Sequence, residues 1–78
     1  MTIEPKNLQL VCKDRRAFFL TNLKVEDLDS MGRADVIFMG NKYGKIGKDK
    51  SGEVTISRKN DVTEIALKYI QENLICGI

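Results

Sequence analysis

The chain has 78 residues, 42% hydrophobic and 31% charged, which excludes a disordered tail and leaves room for one hydrophobic core, not two. Thirteen Lys and Arg against eleven Asp and Glu give a formal charge of +2, so bulk charge argues neither for nucleic acid nor for an anionic membrane. With no histidine, and only Cys12 and Cys76 as thiols, the usual zinc ligand sets cannot be assembled.

No apolar run approaches the ~20 residues that span a bilayer, and Glu4 and Pro5 stand where a signal peptide needs basic and then apolar residues. The expectation is a single cytoplasmic domain over residues 1–78, with free thiols, no membrane contact, no metal and no cofactor. At this size apolar burial and conformational entropy nearly cancel, so a second copy of the chain or another subunit is a natural source of extra stability.

In chain order, Leu8, Leu10 and Cys12 alternate with Gln9, Val11 and Lys13 as in a strand. Lys13 to Arg16 then turns the chain into Ala17–Leu20, completing a first hairpin. Between Thr21 and Met31, Val25, Leu28 and Met31 recur at a spacing of three ahead of Gly32, which predicts a short helix. Ala34–Met39 is a compact apolar strand, and Gly40-Asn41 reads as a two-residue turn returning the chain as Lys42–Gly47. Lys48 to Gly52 forms a polar turn into a strand over Glu53–Ser57, with Val54 and Ile56 on one face.

The last element is an amphipathic helix from Asp61 to Leu74, carried by Val62, Ile65, Ala66, Tyr69, Ile70 and Leu74, with Asp61 and Glu64 as a capping box. Ile65, Tyr69 and Ile70 are expected to pack on Val54 and Ile56. The predicted fold is therefore α+β: an N-terminal hairpin and a three-stranded meander forming a small antiparallel sheet, with the C-terminal helix on one face.

Three constellations bear on function. Gly40 to Ile46 loosely resembles a phosphate-binding loop, but its glycines are one residue too close, Ile46 replaces the magnesium-binding hydroxyl, and a strand follows where a helix is required. Acid–base catalysis lacks histidine, the pair Asp27 and Asp29 has the pattern of a solvated acidic loop, and neither cysteine has an activating base. These absences predict a non-enzyme.

The second constellation is basic: Lys42, Lys45, Lys48, Lys50, Arg58 and Lys59 cluster, while Glu26, Asp27, Asp29 and Asp35 form an acidic stretch. A Gly40-Asn41 turn sets Phe38 opposite Tyr43 and Val36 opposite Lys45 on one face. That face either stacks bases on Tyr43 while the lysines hold phosphates, or lies as core beneath the helix. Thirdly, Leu67 lies off the helix's main stripe and the tail adds Ile75, Cys76 and Ile78, apolar surface that a strand of the first hairpin, a partner protein or a second copy must cover.

By elimination the expected function is a non-catalytic protein-binding module of adaptor or inhibitor type, a class that includes phage- and mobile-element-encoded chains. Its candidate contacts are Leu67, Leu74, Ile75 and Ile78, and its partner another protein or a second copy. The alternative is nucleic-acid binding by the basic hairpin between Lys42 and Lys59, with Tyr43 stacking.

Overall fold

Residues 2–74, and the backbone of Ile75, are described by a computed structural model of the chain. Strands β1 (Leu8–Cys12), β2 (Ala17–Phe19), β3 (Arg33–Phe38), β4 (Asn41–Lys48) and β5 (Val54–Ile56) form one sheet. All pairings are antiparallel and the order is β2-β1-β3-β4-β5. The expected hairpin and meander are both present, joined through β1 and β3.

Because β2 and β3 both run antiparallel to β1, the chain leaves the sheet edge after Phe19 and passes over β1 before re-entering. A 3-10 turn at Leu20–Asn22 and helix α1 (Val25–Met31) make that crossing. Leu20, Leu23, Leu28 and Met31 are buried in the same cluster as Leu8, Leu10 and Cys12, so the crossing covers the face of β1 that those residues occupy. Helix α2 (Asp61–Ile70), extended by a π-helical turn at Gln71–Ile75, packs on the same face over β3, β4 and β5. Ala34, Val36, Phe38, Ile46 and Val54 complete that core from the sheet side. Among the described residues every buried side-chain nitrogen and oxygen has a hydrogen-bond partner, as a small low-dielectric core requires.

The β3–β4 register differs from expectation by one residue. The turn is Met39-Gly40, with φ of +52° and +79°, and Phe38 pairs with Asn41 and Ile37 with Lys42. A two-residue turn with both φ positive matches the right-handed twist of the flanking strands, and glycine takes the second position without cost. A bulge then leaves Tyr43 unpaired, and the ladder resumes at Val36–Gly44 and Asp35–Lys45. Phe38 is consequently core, with Tyr43 half-buried against it edge-to-face at 6.1 Å, and Lys45 lies on the opposite face.

The helix cap also moves by one residue. Asn60, not Asp61, is the N-cap: its side chain accepts from the Thr63 amide at 3.0 Å while its own amide donates to Thr63 Oγ1 at 3.0 Å. Starting the helix there turns Val62, Thr63, Ala66 and Ile70 into the core. Ile65 and Tyr69, expected at its centre, are half-buried flanks instead: Ile65 lies beside Ile3, and Tyr69 beside Glu4, Pro5 and Thr21.

Burial therefore ranks the substitutions. Ile70→Ala should cost about 2 to 5 kcal/mol and Ile65→Ala about 1 kcal/mol, because half-buried Ile65 withdraws less apolar area from water. Urea unfolding monitored by circular dichroism checks the order, and equal midpoint shifts would contradict this phase of α2. Met39→Asn should stabilise the turn by about 1 kcal/mol, since Asn tolerates the left-handed region that Met resists; an unchanged or lowered Tm would show that the turn is not strained.

Candidate functional site

With both helices on one side, the other face of the sheet has no element over it among the described residues. Cross-strand neighbours share a face, so this surface reads in rows across the strands. One row is Ala17–Val11–Asp35–Lys45 and the next is Phe19–Gln9–Ile37–Lys42, with Arg33 opposite Gly47 at one end. Each row is apolar toward β2 and cationic toward β4. Phe19 is 49% exposed, and Val11 and Ile37 are half-buried by their strand neighbours alone. Met39, 70% exposed, sits on the turn that closes the hairpin beyond the Phe38–Asn41 pair.

Alternation hides this surface when attention goes to Leu8, Leu10 and Cys12 and to Ala34, Val36 and Phe38, because those positions fill the core. The signals that would have revealed it are two. Val11 and Ile37 are apolar at positions where a half-solvated strand ordinarily carries polar residues, and adjacent Phe18 and Phe19 must point to opposite faces, so one of them faces outward.

The basic hairpin does not act as one patch. Lys42 and Lys45 reach Asp35 Oδ1 from the open face, at 3.4 and 3.9 Å. Lys48 is on the helix side, bonded to Asp29 of α1, and Lys59 pairs with Glu64 of α2 at 3.8 Å. Lys50 is exposed in the β4–β5 turn. Tyr43 packs on the core and its carbonyl accepts from Asn60 Nδ2 at 3.0 Å, a position unsuited to stacking an incoming base. Asp35 sits among lysines rather than on an acidic side with α1.

A groove of about 390 Å³ gathers Lys42, Lys45 and Arg58 with Gly44 and Ser57 at the β4–β5 margin. Of the apolar tail, Leu67 and Leu74 are half-buried and pack against the core, so the chain itself covers much of their surface. The side chains of Ile75 and Ile78 lie outside the described residues.

Titration behaviour marks turns. Burial pushes the Cys12 thiol up, with neighbouring Arg16 partly opposing, so at neutral pH it is a buried free thiol and a weak nucleophile. The Ser51 hydroxyl and the Glu53 amide hold the Asp49 carboxyl low, as Arg16 does for Asp14. Among the described residues no group of three carboxylates or thiols converges tightly enough to hold a metal, and no helix is long and apolar enough to cross a membrane. No family model, curated protein or solved structure matches the chain.

Proposed function

We propose that this protein is a non-catalytic protein-binding module that docks a partner protein on its uncovered sheet face. The observation that carries the reading is the contiguity of Ala17, Val11, Phe19 and Ile37 on that face. Apolar side chains scattered singly over a surface need no explanation, whereas a continuous patch rimmed by polar groups has the anatomy of an interface. Phe19, half exposed on the edge strand β2, is the natural anchor, because a few large aromatic residues carry most of the binding energy of an interface. Lys42, Lys45 and Arg33 form the polar side and favour a partner whose apolar contact is bordered by carboxylates. A module acting in this way blocks or bridges its partner by occupying a surface, which suits an inhibitor or adaptor.

The test places a photo-crosslinking side chain at Gln9, central on the open face, or at Lys68, exposed on α2, and exposes each variant to cell extract. A defined adduct with another protein is expected from Gln9 and none from Lys68. Phe19→Glu should weaken that complex at least tenfold, the scale of losing one aromatic anchor, while shifting stability by about 1 kcal/mol or less because Phe19 is on an exposed edge strand. Equal adducts from both positions, or an adduct indifferent to Phe19→Glu, would refute the assignment; light scattering of the purified chain separates a second copy from a different partner.

A further inference from the structure

At the β4–β5 margin the backbone itself builds the groove. The bulge at Tyr43 puts Gly44 at φ +155°, where a Cβ would come within 3.0 Å of the Thr63 methyl and 3.2 Å of Arg58 Cβ. A side chain at this position would hold a strained φ and push the segment from Arg58 to Thr63 back by a few tenths of an ångström, so glycine favours its close approach to β4. Past Ile56 the ladder is continued by Ser57: its amide donates to the Lys45 carbonyl at 3.0 Å, and its hydroxyl accepts from the Lys45 amide at 2.9 Å. Arg58 is thereby anchored beside Lys45 and Lys42, and the three line one groove with Gly44 and Ser57.

Every side chain lining that groove is a hydrogen-bond donor. The Ser57 hydroxyl already accepts from Lys45, which leaves its own hydrogen to offer outward. Among the described residues no carboxylate comes within 4 Å of the Arg58 guanidinium. Three cations face one carboxylate, Asp35, which stands on the neighbouring strand and already holds Lys42 and Lys45. A guanidinium fork, two mobile ammonium groups and a hydroxyl are the donor set that suits a phosphate group. Lys42 and Lys45 occupy successive positions on one sheet face, about 7 Å apart along the strand, comparable to one nucleotide step, and Arg58 stands across from Gly44, between the levels of the two lysines. The spacing of the two lysines along β4, with Arg58 facing the gap between them, suits a repeating anion better than a lone one.

We propose that the groove binds the phosphodiester backbone of a nucleic acid, with Arg58 and Ser57 on one phosphate and Lys45 and Lys42 extending contact to the next. Tyr43 takes no part, and Lys48 and Lys59 are spent on Asp29 and Glu64. Because all the contacts are to phosphate, binding is indifferent to base identity. Asp35 acts against it, since each lysine must leave the carboxylate to reach the ligand.

The probe is a fluorescein-labelled single-stranded oligothymidylate titrated by anisotropy from 25 to 200 mM salt, about the range in which phosphate contacts are readily resolved. Three phosphate-binding cations predict a log–log salt slope of about −2, and Arg58→Gln should flatten it by about 0.7. Arg58→Gln should also weaken binding about tenfold at the lowest salt, Arg58→Lys less so, while Asp35→Asn should tighten it. Lys68→Gln, which removes an exposed charge from α2, should leave affinity within a factor of two. An oligoadenylate should bind as the oligothymidylate does. Four results would overturn the proposal: no saturable binding at the lowest salt; equal losses in Lys68→Gln and Arg58→Gln; competition by polyglutamate as effective as by unlabelled oligonucleotide; or binding of a phosphopeptide or inorganic phosphate without the oligonucleotide.

Discussion

The seating of the N-terminus of α2 on the bulged part of β4 is the contact on which the rest of this structure depends. Four hydrogen bonds meet there. Asn60 donates to the Tyr43 carbonyl and accepts from the Thr63 amide, while the Thr63 hydroxyl accepts from the Asn60 amide and donates to the Arg58 carbonyl. Thr63 is wholly buried, so leaving its hydroxyl or amide without a partner would cost about 1 to 3 kcal/mol. Helix, connecting segment and strand are thus fixed to one another at a single point. That point sets the rotation of α2, turning Val62, Ala66 and Ile70 inward, and it also sets the place of Arg58 beside Lys42 and Lys45. Core and groove share one cause.

A second constraint follows from the chain's economy. The described residues supply two short α-helices, and both are used on one face of the sheet, because the crossing from β2 to β3 and the closing helix contribute to one cluster. A five-stranded antiparallel sheet tolerates this, since such sheets are stable with one face in water. The solvent side then carries polar residues at most positions, and the departures from that rule, Val11, Phe19 and Ile37, bring no internal benefit that the fold displays. In a domain whose stability is a small difference between large terms, these half-buried and exposed apolar side chains are what the proposed docking face rests on.

Much of the fold was legible because alternation and helical spacing are local: the hairpin, the meander, the short helix before Gly32 and the amphipathic helix all lie where those periods place them. What was not legible depended on contacts remote in sequence. Asp61 with Glu64 and Asn60 with Thr63 both satisfy the spacing of a capping box, and only the bond from Asn60 to Tyr43, 17 residues away, decides between them. Gly40-Asn41 is the stronger turn dipeptide, yet the turn falls on Met39-Gly40, which with the bulge at Tyr43 keeps Phe38 on the core face and sends Lys42 and Lys45 to the other. The basic residues were identifiable as a group but not as separate pairs, since the partner of Lys48 is 19 residues upstream. Ser57, whose hydroxyl completes the groove, has no signature in the sequence at all.

Asp35 links the two surfaces. It lies in the row with Val11 on its apolar side and Lys45 on its cationic side, and its carboxylate holds both Lys42 and Lys45. A phosphate backbone that draws the lysines away leaves Asp35 half-buried without its counter-charges, which favours a protein partner that offers a cation or a hydrogen-bond donor at that point. A partner that instead brings carboxylates to Lys42 and Lys45 competes with the nucleic acid for the same ammonium groups. For the two proposed ligands, the sign of any coupling would be set by what the protein partner places over Asp35, and by linkage whatever one did to the affinity of the other would be returned in equal measure.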